Sequence, residues 1–264
     1  MNLGSRVYGL AAILLGLVGL AWGDFASVWQ PVPDGIPGRT ALAYIAALAL
    51  ISGGVALQRP RAARIGALGL AILYAIFALL WVPRVVGFPQ IFATWSGAAE
   101  QFALAIGGVA AYASVQRRAT GPGGEAAAIQ VTRVVRLAFG LCLVAFGTAH
   151  LLYTNETAAM VPAWLPPGQR AWALATGAFH LLAGLALLSG VRAHLAARLV
   201  AAMFIGFGLF VWAPQLFLNP GDHVAWAGNA INFALIGAAW AGSSSIAEFG
   251  TDWALSREPK LEPA

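Results

Sequence analysis

The sequence predicts an all-α, polytopic membrane protein: eight transmembrane helices arranged as two parallel four-helix bundle repeats. Three observations carry this. First, the 264 residues are 60% hydrophobic and only 9% charged. A soluble domain averages about 25% charged residues and needs them to keep its surface wetted. Second, the apolar residues come in runs of roughly 17 to 23, each long enough to cross about 30 Å of hydrocarbon. The runs are apolar all round and do not alternate, which favours helices over barrel strands. Third, motifs of the first half recur in the second at a shift of 129 to 131 residues.

The spans are expected at 7–23, 40–58, 63–83, 97–116, 131–153, 169–189, 194–214 and 224–243. The first has the look of a signal peptide, with Arg6 ahead of the apolar run and AWG before Asp24. Its counterpart span in mid-chain argues against cleavage. Arginine and lysine decide the orientation. With the N-terminus inside, Arg6, Arg59, Arg61, Arg64, Arg117, Arg118, Arg133, Arg136, Arg192, Arg198, Arg257 and Lys260 are cytoplasmic, leaving only Arg39, Arg84 and Arg170 outside. Both termini are thus placed in the cytoplasm of a bacterial inner membrane. The bacterial assignment rests on the Ala-rich, Arg-over-Lys composition. The net charge of +5 belongs to these loops, not to a nucleic-acid surface.

The repeat is read from matched motifs. WVPRVVGFP at 81–89 pairs with WAPQLFLNP at 212–220, and WSGAAEQFAL at 95–104 with WAGNAINFAL at 226–235. Four spans per unit is an even number, so both units enter the bilayer in the same direction. The expected division is a first membrane repeat at 1–116, a Gly/Pro-rich cytoplasmic linker at 117–130, a second repeat at 131–245 and a cytoplasmic tail at 246–264. The first outer loop of each unit is rich in proline (PVPDGIPGR at 31–39, MVPAWLPPGQR at 160–170). Proline stiffens a loop and suits it to cap a bundle mouth.

Candidate site residues gather toward that outer face. Eight of the ten tryptophans fall there, where an ordinary aromatic belt would populate both interfaces. The belt is one reading. The other is an aromatic-walled cavity, including Trp95, Trp164 and Trp226, for a flat ligand such as a quinone headgroup. Ionisable and amide groups in spans are costly and mark function by default. Here they are Asp24, Glu100, Gln101, His150, His180, Asn229 and Asn232. Each has a plainer role open to it: helix-dipole compensation for Glu100, interhelical hydrogen bonding for the histidines and asparagines. At 1.5 Å per residue, His150 lies about 5 Å and His180 about 15 Å below the outer boundary, a mismatch that argues against haem. No metal-ligand spacing, nucleophile elbow, phosphate loop or dinucleotide fingerprint is present. The lone Cys142 excludes an intramolecular disulfide.

AFGTAHLLYTNETAAMVPAWLPPG, residues 145–168, resembles the DoxX-like family of four-span bacterial membrane proteins. The resemblance rests on Gly147, His150 and Leu151, on Val161, Pro162, Trp164, Leu165 and Pro166, and on Gly177 and Gly184. It covers roughly 132–243 directly and 7–116 only through the repeat, where the histidine is missing. It implies a membrane subunit of a quinone-linked redox system. In that role His150 and Glu100 are the proton-handling candidates, because reducing a quinone takes protons as well as electrons, and a separate soluble or membrane redox partner is needed because the chain has no evident redox centre. Two other expectations stay open: a carrier or binding protein for a small lipophilic or anionic molecule, and a non-catalytic assembly subunit. Against a carrier, no span shows a proline or charge in mid-membrane.

Overall fold

A computed structural model describes residues 2–120 and 125–255, with side chains described for 2–116 and 127–247. Among the described residues there are helices and no strands. The chain runs α1 (Leu3–Trp22), α2 (Arg39–Gln58), α3 (Ala63–Leu80), α4 (Val82–Gly87), α5 (Phe92–Thr120), α6 (Glu125–Leu152), α7 (Thr154–Met160), α8 (Gln169–Ser189), α9 (Ala193–Phe207), α10 (Ala213–Leu218) and α11 (His223–Leu255). Eight helical segments are long and apolar enough to cross a membrane. This is an all-α, polytopic membrane architecture.

The expected linker is largely helix. α5 continues to Thr120 and α6 begins at Glu125, because the charged and alanine residues flanking the Gly-Pro pair are good helix formers. Residues 121–124 lie outside the described ones, as do 256–264 of the expected tail, whose first part, to Leu255, continues α11.

Two spans overrun their expected ends. The third continues from α3 through Trp81 into α4, and the seventh from α9 through a π-helical turn, Gly208–Trp212, into α10. Pro83 and Pro214 had marked the ends of these spans. Each instead opens a new short helix, where its missing N–H would have had no partner anyway. The apolar spans therefore run Ala63–Gly87 and Ala193–Leu218, and the seventh carries the π-helical turn within its length.

Successive helices pack in a ring: α1 on α2, α2 on α3, α3 on α5, α5 on α6, α6 on α8, α8 on α9, α9 on α11, and α11 back on α1. α5 and α11 also touch each other across the middle, so the two halves interlock. Close approach needs small residues, since helices in lipid gain from packing and not from leaving water. α1 crosses α2 where Gly9 faces Gly54, and α6 crosses α8 where Gly140 faces Gly184. At neither crossing is there comfortable room for a Cβ.

The repeated motif W-x-P-x5-P-x5-W-x-G, at 81–97 and 212–228, acquires a physical explanation. In each copy the first indole lies against the final glycine, Trp81 on Gly97 and Trp212 on Gly228, so that neither glycine can carry a side chain without displacing a ring. The second indole donates its N–H to the carbonyl of the second proline, Trp95 to Pro89 at 3.1 Å and Trp226 to Pro220 at 2.9 Å. Both copies thus pin a short helix and turn onto the start of the next span.

Candidate functional site

Between α6, α8, α9, the π turn and α11 lies a cavity of about 720 Å³. Its wall is mostly apolar, with Phe146, Trp172, Phe204, Phe207, Phe210 and Trp212 among its aromatic residues. α7 and the following loop cover it with Met160, Pro162 and Leu165. From the first half, α5 adds Ser96 and Glu100. Volume and lining suit a small lipophilic molecule with a few oriented polar atoms.

His150 and His180 stand on one wall with ring centroids 4.9 Å apart. The separation of about 10 Å in depth expected from helical rise is corrected. That count assumed that α6 and α8 reach the same plane. Instead Gly177 packs against His150, and the His150 Nδ1 lies 3.1 Å from the Thr176 hydroxyl, so His150 is level with the second turn of α8 and His180 lies one turn further on. The rings touch, leaving no thickness for a porphyrin between them, so the pair does not fit a haem held from opposite sides.

The His180 tautomer follows from its partner. Its Nδ1 lies 2.9 Å from the Thr176 carbonyl, which only accepts, so Nδ1 carries the hydrogen and Nε2 is an acceptor. The Thr176 hydroxyl lies 3.1 Å from His150 Nδ1, 2.8 Å from the Trp172 carbonyl and 3.2 Å from that of Ala173. A hydroxyl both donates and accepts, so it suits either tautomer of His150. His180 is 1% exposed and its Nε2 has no hydrogen-bond partner.

Glu100 accepts from the Trp29 indole N–H at 3.2 Å, and no cation pairs with it among the described residues. Asn232 also lines the cavity, but its amide is committed to the Phe204 carbonyl at 3.0 Å. The structure thus brings four expected residues together: Glu100, His150, His180 and Asn232.

The others lie elsewhere. Asp24 holds Arg39, which also reaches Asp34 at 3.3 Å and lies over the Phe25 ring, and so closes the first loop. Gln101 is fully buried in α5, its amide unpartnered, and does not line the cavity. Asn229 donates to the Trp212 and Ala225 carbonyls at 2.7 and 2.9 Å, tying the π turn to α11. Trp95 and Trp226 bond their proline carbonyls and do not line the cavity. Trp164 is 71% exposed, its ring meeting only the edge of Phe210. The indoles that do line the cavity are Trp172 and Trp212.

Sequence reasoning passed over Thr176, the residue that orients both imidazoles. Its position four residues before His180 on one helix face was the available signal. Among the described residues, no group of three His, Cys, Asp or Glu is gathered closely enough to hold a metal.

A family described as "Domain of unknown function (DUF8561)" matches residues 137–243. The match runs from within α6 to within α11, so it takes in the cavity wall except for Ser96 and Glu100. No curated protein and no solved structure matches the chain.

Proposed function

We propose that this membrane protein binds a lipophilic ring compound in the cavity of its second half, a headgroup of the quinone and hydroquinone class being the best fit. The observation that carries the reading is the touching pair of His150 and His180 set in a mostly apolar, aromatic-lined cavity. Apolar walls supply the area and a few convergent polar atoms fix orientation. The resemblance of 145–168 to the DoxX-like family supports the same reading and extends it to a subunit of a quinone-linked redox system, in the bacterial inner membrane with both termini inside. In that role His150 and Glu100 handle the protons that accompany quinone chemistry, and a partner supplies the electrons.

The test is purification in mild detergent, followed by mass spectrometry of extracted small molecules and titration with a short-chain quinone and with its hydroquinone, read by quenching of Trp172 and Trp212. A near-stoichiometric lipophile, absent from Ala149→Trp protein in which the cavity is filled, is the expected result. A ligand-free protein whose tryptophans ignore both forms sinks the proposal.

A carrier function is the second reading, favoured by the π-helical turn at Gly208–Trp212 beside the cavity. Such turns are frequent at functional sites. Uptake of a lipophilic or anionic solute into proteoliposomes, abolished by Ala149→Trp, distinguishes it from a static binding subunit.

A further inference from the structure

Resting on the binding reading above, we infer that the ligand is a hydrogen-bond donor, a hydroxyl-bearing ring of the phenol or hydroquinone class, whose O–H is received by the Nε2 lone pair of His180, beside His150.

The argument begins with what the cavity lacks. Phenylalanines, methionines and leucines offer a polar ligand nothing, and Asn232 has given an amide N–H to Phe204. Glu100, also on the lining, accepts from Trp29. Among the described residues, the Nε2 of His180 is the buried polar side-chain atom of the lining without a partner. Its Nδ1–H is spent on the Thr176 carbonyl. Because Nδ1 of His180 faces the backbone of its own helix, Nε2 lies on the far side of the ring. Phe146, His150, Phe204 and Phe207 surround the ring, with centroids 4.9 to 6.0 Å from that of His180. All four line the cavity. Neither histidine bonds a carboxylate, and two imidazolium ions in contact would repel each other, so a doubly charged pair is disfavoured.

A buried acceptor without a donor is costly, and a ligand that supplies the donor recovers that cost. A carbonyl or ether oxygen cannot: placed at Nε2 it sets lone pair against lone pair. The site therefore discriminates by protonation state of the ligand and not by ring size. It takes a hydroquinone in preference to the corresponding quinone, and a phenol in preference to its methyl ether. A metal ion would also accept an imidazole lone pair, but the absence of a third nearby His, Cys, Asp or Glu among the described residues disfavours it.

The decisive comparison is equilibrium binding of 4-heptylphenol and 4-heptylanisole to the full chain in nanodiscs, read by tryptophan quenching. The phenol is expected to bind at least about tenfold tighter, the size of one hydrogen bond to a buried acceptor. His180→Phe should erase that preference while keeping affinity for the ether. If His180→Phe does not fold, His150→Phe with ¹⁵N-histidine NMR replaces it. Unprotonated Nε2 resonances that shift on adding the phenol support the assignment. Equal binding of phenol and ether overturns the donor inference and leaves the lipophile reading standing, whereas failure of both to bind removes the lipophile reading as well. Protonated His180 Nε2 in the ligand-free protein, or saturable Ag(I) binding with indifference to the phenol, overturns the inference on its own.

Discussion

The loops at 23–38 and 153–168 occupy the same place in the two halves and do opposite things. The first folds inward. Phe25, Ala26, Trp29 and Val32 are buried, and Trp29 meets the Trp212 ring edge-on at 5.8 Å. The Trp29 N–H is taken by Glu100, and its carbonyl accepts from the Trp81 indole at 3.4 Å. Below it Phe25 packs on Phe77, and Tyr74 joins Phe77 to Tyr8, so that the interior is filled with rings. The second loop stays above its half as a lid. It has prolines and the short α7, an exposed Trp164, and open volume beneath. The frame of helices, prolines and indole clamps is shared. One half uses its loop tryptophan as a plug, and the other leaves room and places two histidines beside the space. The open cavity therefore lies in the second half, with α5 of the first half adding Ser96 and Glu100 to its lining.

The largest expected effect tests that asymmetry directly. Trp29→Ala removes a 5% exposed indole and leaves Glu100 without its donor, so it should destabilise the protein by about 3 kcal/mol in reversible detergent unfolding. Trp164→Ala, an exposed ring with one edge contact, should cost about 1 kcal/mol or less. Similar losses at the two positions would mean that both loops are plugs. Next in size is the clamp. Gly97→Ala and Gly228→Ala each drive a Cβ into an indole, and overpacking costs about 1–3 kcal/mol. Trp212 borders the cavity and has somewhere to move, while Trp81 is 7% exposed and sits in the filled half. Gly97→Ala should therefore be the more destabilising, and Gly228→Ala should instead weaken ligand binding.

The eight spans were legible because membrane crossing is written in composition: a run of apolar residues needs no knowledge of its neighbours. Where the spans ended was less legible. The third and seventh spans were expected to end at Pro83 and Pro214, yet a proline in the first turn of a new helix does not end a span. The site was half legible. Glu100, His150 and His180 stood out because polar groups in apolar spans are rare. The contact between the histidines did not, since rise per residue gives depth only if both helices start from a common plane. The wrong tryptophans were expected at the wall because nearness to the outer face does not tell which way an indole faces. Trp95, Trp172 and Trp226 each bond a proline carbonyl six residues back, yet of the three Trp172 alone lines the cavity. Thr176 escaped notice because a hydroxyl in an apolar helix usually satisfies itself on the preceding turn. It does so here as well, and orients two imidazoles besides.

The smallest effect has the sharpest sign. Gly206 lines the cavity, and a Cβ added there would have no heavy atom within 4 Å. At the shift of 131 residues its counterpart in the first half is Ala75, which packs against the core. The filled half thus carries a side chain where the open half has none. Glycine in a helix interior is less stable than alanine by about 0.5–1 kcal/mol, and open space adds no clash. Gly206→Ala should therefore stabilise the protein by about that amount, whereas Gly206→Leu should leave stability near wild type and abolish ligand binding by occupying the cavity. Destabilisation by the alanine would show that α8, α9 and α11 close around this point in a bilayer. The contrast between a plugged half and an open half would then have to be abandoned.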